Sequence, residues 1–126
     1  MTPSQCFVSV LLLVVLSDFV CKADRIDIDV NDEQVRKVAT FAEEEIDARS
    51  NSMNLVKLTN IVKAETQILA GILYHLTLEM RLTDCRKGSE RDSCKLDTVI
   101  HLCKVEILDK PWSKATLEKY SCLPPI

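Results

Sequence analysis

From Ile72 to Thr83 the chain alternates without a break. Ile72, Tyr74, Leu76, Leu78, Met80 and Leu82 fall on one side, and Leu73, His75, Thr77, Glu79, Arg81 and Thr83 on the other. A repeat of two is the repeat of a β-strand. One face is almost wholly apolar and the other mostly polar, as an antiparallel strand between a core and water requires.

The neighbouring segments extend this pattern. Arg25-Ile26-Asp27-Ile28-Asp29-Val30 alternates too and predicts a short, half-buried strand. Asn31 and Asp32 then offer N-cap chemistry. Val35, Val38, Ala39, Ala42 and Ile46 form one apolar stripe at helical spacing, with Phe41 at its edge. The stripe predicts one amphipathic helix from about Asp32 to Ala48, with Glu43, Glu44, Glu45 and Asp47 as its solvated face rather than a cation site. Arg49-Ser50-Asn51-Ser52 breaks it. Asn54 to Thr66 reads as a long strand whose apolar content is mainly Leu58, Ile61 and Val62. Thr98 to Leu108 predicts another, with Cys103, Val105 and Ile107 on one face and Lys104 and Glu106 on the other. Ala115 to Cys122 predicts the last. Asp109-Lys110-Pro111-Trp112-Ser113-Lys114 is a turn, because Pro111 pushes Lys110 into extended geometry. One helix followed by hairpin-linked strands indicates an α+β fold, an antiparallel five-stranded sheet with the helix across one face.

A length of 126 residues suffices for one domain. Phe7 to Leu16 is apolar but falls short of the ~20 residues a membrane span needs. With Cys21 and Ala23 ahead of Asp24, it fits a secretory signal peptide, residues 1–23, that leaves a mature domain of residues 24–126. A cut after Ser17 is the alternative and would retain Cys21. Secretion permits disulfides. Of six cysteines, Cys85, Cys94, Cys103 and Cys122 remain after the cut at Ala23, and their spacing leaves all three pairings open. No Cys-x-x-Cys occurs, which argues against zinc or redox use. A net charge of −3 without a basic stripe argues against nucleic acid. No membrane partner is expected.

Catalytic machinery is absent from the pattern. His75 and His101 sit singly in predicted strands, and no Ser-His-Asp or Cys-His set can be assembled. Gly71 and Gly88 alone cannot build a phosphate loop. Neither enzyme activity, nor a cofactor, nor a metal is expected. What remains is a strand-to-strand tip, Gln67-Ile68-Leu69-Ala70-Gly71, that is apolar where tips are normally polar, and the turn carrying Pro111 and Trp112. Alternate tips of a meander lie at one end of the sheet, and the start of the chain can reach that end. Binding through the tips is the function this predicts.

Those residues also carry a resemblance. Gln67-Ile68-Leu69-Ala70-Gly71 resembles the Gln-x-Val-x-Gly loop of the cystatins, with Leu69 where Val is usual, and Pro111-Trp112 resembles their second-loop Pro-Trp. With four cysteines in its C-terminal half, the chain is similar to the secreted type-2 branch. Leu76 to Lys87 is similar to cystatin E/M, and Glu65 to Leu78 to tick salivary cystatins. The resemblance spans nearly all of residues 24–126. It implies a cystatin-like sheet wrapped around the helix and the sequential disulfides Cys85–Cys94 and Cys103–Cys122. It implies a secreted, monomeric, reversible and competitive inhibitor of papain-like cysteine proteases (cathepsins), bound through Asp24, Gln67, Ile68, Leu69, Ala70, Gly71, Pro111 and Trp112. It further implies that Ser50-Asn51-Ser52 inhibits legumain, an asparagine-specific protease, with Asn51 in the specificity pocket. Two positions depart from the pattern. The family's N-terminal Gly falls near Ala23, so nothing precedes Asp24 in the mature chain, and Ser113-Lys114 replaces a Gly often found after Pro-Trp. Weaker cathepsin binding than in the best members is therefore expected, exopeptidase-type targets being least affected. The alternative is a cystatin-fold protein that inhibits nothing and uses its loops for another partner.

Overall fold

The computed structural model describes residues 25–88 and 93–126; the segment assigned as signal peptide, residues 1–23, and Asp24 lie outside them. Five strands make one antiparallel sheet in chain order: β1 (Ile26–Asp27), β2 (Asn54–Leu69), β3 (Gly71–Arg86), β4 (His101–Asp109) and β5 (Thr116–Leu123). Among the described residues one helix, α1 (Glu33–Arg49), packs on one face. Asp32 is its N-cap and accepts the Gln34 N–H at 2.8 Å, with Glu33 in the first turn and Arg49 in the last, each at the end the helix dipole favours. The expected stripe of Val35, Val38, Ala39, Ala42 and Ile46 is buried against Tyr74, Leu76, Leu78 and Met80 of β3, Val105 and Ile107 of β4, and Leu117 of β5. Apolar burial of this kind drives the sheet to wrap the helix.

Among the described residues the disulfides are Cys85–Cys94 and Cys103–Cys122, the sequential pairing, closing spans of 9 and 19 residues. Cys103 and Cys122 are directly opposed on β4 and β5, so the bridge ties the last hairpin together inside the core. In the chain-entropy account each bridge contributes about 3 kcal/mol.

Four expectations are corrected. The first strand is only two residues long, because Asp29 starts a turn: its carboxylate accepts the Asn31 N–H at 2.9 Å and its carbonyl the Asp32 N–H at 3.0 Å. In β2 the buried residues are Leu55, Val56 and Ala64, while Val62 is exposed and Leu58 and Ile61 are only partly covered. The register shifts between Asn54 and Val56, Leu58 and Asn60, and Ile61 and Lys63; the last two shifts are of one residue each and so exchange the strand's faces. The third correction concerns Glu43 and Asp47, read as solvated. Asp47 is buried and accepts the Val56 N–H at 2.9 Å; Glu43 accepts the Leu58 N–H at 2.7 Å. With β1 so short, this stretch of β2 pairs with β3 on one edge only, and on the other edge helix carboxylates accept its amides. Finally, β4 begins at His101 rather than Thr98. The preceding segment makes only a single bridge, Leu96 to Thr83, and then turns where the Asp97 carboxylate accepts the Val99 N–H at 3.3 Å.

Candidate functional site

The hairpin joining β2 to β3 closes tightly. Leu69 pairs with Gly71, which leaves Ala70 alone at the bend. Gly71 has φ +122°, a conformation side chains rarely adopt. A Cβ there would lie 2.8 Å from the Asp109 carbonyl oxygen and 3.3 Å from the Lys110 Cα. The bend therefore rests directly on the backbone of the next hairpin. Register agrees, since Ile72 opposes Asp109 at the ends of β3 and β4.

That second hairpin turns at Lys110–Ser113. Pro111 takes the second position, where its fixed φ suits a turn, and the Ser113 N–H reaches the Lys110 carbonyl at 3.3 Å. The two turns stand side by side at one end of the sheet, with Pro111 exposed and Trp112 69% exposed. Ile68 and Leu69 on the neighbouring tip are 66% and 51% exposed, and Ala70 beside them is also uncovered. Together these residues form an apolar rim, the kind of surface that is covered when a partner docks.

Two details of the rim were not legible beforehand. Ile72 was assigned to the core face by its alternation, yet it is exposed, because the tip projects past the helix that buries Tyr74 and Leu76. Gln67 belongs to the strand rather than the tip: its Oε1 lies 2.9 Å from the His75 Nε2 across the hairpin, so its side chain braces the loop. Asp24 is outside the described residues. Because Ile26 opposes Thr66 and Arg25 lies 3.7 Å from Glu65, the described chain enters β1 from the rim end.

His75 lies on the sheet face away from the helix, with its Nδ1 3.9 Å from Glu106. Burial, aided by Arg25, lowers its pKa below the usual 6.5, while Glu106 and Glu65 oppose the shift. The unfolded chain thus takes up the proton first as pH falls, so stability declines below about pH 6.5 and levels off beneath the folded value. A lower urea midpoint at pH 5.5 than at pH 7.5 is expected, with the difference reduced in His75→Gln; an unchanged difference would mean that other groups carry it.

The opposite end of β2 holds Ser50, Asn51 and Ser52. A strand of 16 residues, ~50 Å at about 3.3 Å per residue, separates this loop from the rim. Asn51 is exposed. The Ser50 N–H closes the helix on the Ile46 carbonyl at 2.8 Å, and the Ser52 hydroxyl accepts the Asn54 N–H at 3.0 Å. From the far side, Lys87 donates its ammonium to the Ser50 carbonyl at 2.8 Å and its amide to the Met53 carbonyl at 3.0 Å.

Comparison with known proteins places this geometry. The family model of the cystatin domain matches residues 25–112. Cystatin-1 of the rattlesnake Crotalus adamanteus is 36% identical over 106 residues, covering 75% of this chain and 76% of its own. The structure of dimeric human cystatin F superposes with a TM-score of 0.68 at 26% identity, over 85% of this chain and 91% of that one. A salivary cystatin of the soft tick Ornithodoros moubata shares the fold, with a TM-score of 0.66 at 21% identity over 79% of this chain and 96% of its own.

Proposed function

Because the chain belongs to the cystatin family of cysteine protease inhibitors, we propose that it is a secreted, reversible and competitive inhibitor of papain-like proteases of the cathepsin type, acting as a monomer. The rim formed by Ile68, Leu69, Ala70, Gly71, Pro111 and Trp112, joined by Ile72, enters the active-site cleft, with Asp24 approaching from the chain start. Side-by-side packing of the two turns through Gly71 is the observation that carries this reading. Apolar groups that already face water gain about 25 cal/mol per Å² on entering a dry cleft. Both turns are closed by backbone hydrogen bonds, so little ordering cost is paid on docking. The rim fills the groove with two bends and extends no strand along it, so no peptide bond is offered in register for attack.

Titrating papain with residues 24–126 tests the proposal. Inhibition relieved by rising substrate concentration is the expected result. No inhibition at micromolar protein would favour the alternative, a cystatin-fold interaction module that inhibits nothing.

A second site at Ser50, Asn51 and Ser52 is supported by the exposed asparagine on a braced loop at the far end of β2. It accommodates legumain, with Asn51 in the asparagine pocket. Asn51→Ala is expected to abolish legumain inhibition and leave the papain inhibition constant unchanged. Equal losses against both enzymes would reject the assignment.

A further inference from the structure

Lys87 has a part in the second site that its sequence position does not suggest. It follows β3, 36 residues after Asn51, in the turn between Cys85 and Cys94. Two of its groups reach the Asn51 loop from the same side. Its ammonium holds the Ser50 carbonyl, immediately before Asn51, and its backbone amide holds the Met53 carbonyl, immediately after Ser52. The Asn51–Ser52 peptide bond is therefore clasped on both flanks by one residue. Nearby contacts hold that residue and the loop's two roots. Asn54 pairs with Arg86, the Thr83 hydroxyl donates to the Leu55 carbonyl at 3.0 Å, and the Cys85–Cys94 bridge anchors the stretch that carries Lys87. On the other side, the buried Asp47 ties the last turn of α1 to Val56.

We propose that Lys87 is a positioning residue which makes the Asn51 loop an inhibitor of an asparagine-specific protease rather than a substrate, by holding the residues on both sides of the Asn51–Ser52 bond. This rests on the reading of Asn51 as the legumain-binding residue. The physical reason is that a protease cuts readily only a segment that can settle into its extended site and let the cut ends separate. A clasped loop binds with little loss of conformational entropy, and neither flank can move to follow the reaction. The ammonium-to-carbonyl bond is the charged half of the clasp and therefore its stronger part. The role assigned to Lys87 is carried by its contacts to Ser50 and Met53, so it acts through the loop.

The test uses the mature chain, residues 24–126, as wild type, Lys87→Met and Lys87→Arg. Each is assayed for inhibition of legumain and of papain, and incubated with legumain while mass spectrometry follows cleavage after Asn51. Lys87→Met is expected to raise the legumain inhibition constant about tenfold, the size of one charge-assisted hydrogen bond, and to speed cleavage after Asn51 by a similar factor. Lys87→Arg keeps the charge and restores both properties to within a few-fold of wild type. Papain inhibition is unchanged throughout, which separates a local effect from damage to the fold. If wild type inhibits legumain and Lys87→Met inhibits equally and is cut no faster, the role of Lys87 is overturned while the Asn51 reading stands. Wild type that inhibits papain but not legumain overturns the Asn51 reading and this proposal with it. Parallel loss against both proteases in Lys87→Met would assign Lys87 to folding and overturn its local role.

Discussion

Gly71→Ala is expected to weaken papain inhibition about a hundredfold and to lower the melting temperature of the domain. Two independent costs act at this position. A residue with a side chain at φ +122° sits in a region left almost entirely to glycine, worth about 1–3 kcal/mol of strain. The added methyl would also stand 2.8 Å from the Asp109 carbonyl oxygen, a backbone atom that cannot swing aside. Relief comes only if the first bend and the Asp109–Lys110 backbone move apart. That separation splits the rim, and a loss of about 2.7 kcal/mol in binding is a hundredfold in the constant. For a domain of this size each kcal/mol of strain lowers the melting temperature by about 4–8 °C. Measuring both quantities on one sample is decisive. Unchanged values would show that the glycine does not hold the two turns in register.

Trp112→Ala should give the complementary result, a large loss of affinity with no loss of stability. The indole is mostly exposed and fills no part of the core. Truncating it leaves no cavity, so the melting temperature should stay within about a degree or two of wild type. A tryptophan side chain buries 150–250 Å² on docking, an upper limit of about 4–6 kcal/mol. Interface tryptophans commonly cost 2–4 kcal/mol when cut back to alanine, which corresponds to about 30- to 1,000-fold here. An inhibition constant that does not move would remove Trp112 from the contact and leave the first bend to act alone. The pair of variants separates shape from contact: Gly71→Ala disturbs the geometry, Trp112→Ala only the surface it presents.

Much of this molecule was readable from residue order because period and side chain agreed. The stripe from Val35 to Ile46 and the alternation from Tyr74 to Met80 each bury the residues their spacing selects. The tips were legible for the opposite reason, as apolar residues where turn chemistry favours polar ones. What failed did so where register, rather than composition, decides the outcome. The two one-residue irregularities in β2, between Leu58 and Asn60 and between Ile61 and Lys63, exchange its faces, so Val62 emerges although it reads as core and Ala64 is buried although it reads as neutral. No residue type along that strand announces a bulge; only pairing with β3 reveals it. Glu43 and Asp47 mislead in a similar way. A carboxylate on a helix normally faces water, and these turn inward to accept the Val56 and Leu58 amides on the edge of β2 that β1 does not reach. Within the candidate sites, Ile72 and Lys87 were hidden for a related reason. One depends on how far the tip overhangs the helix, the other on a contact between residues 37 apart in the chain.

The length of β2 has a final consequence. A single ribbon carries a bend at its head and a braced loop at its foot, so an enzyme seated on one leaves the other clear of its bulk. Under the functions proposed here, the molecule is a two-headed ligand, able to hold two unlike proteases in one ternary assembly.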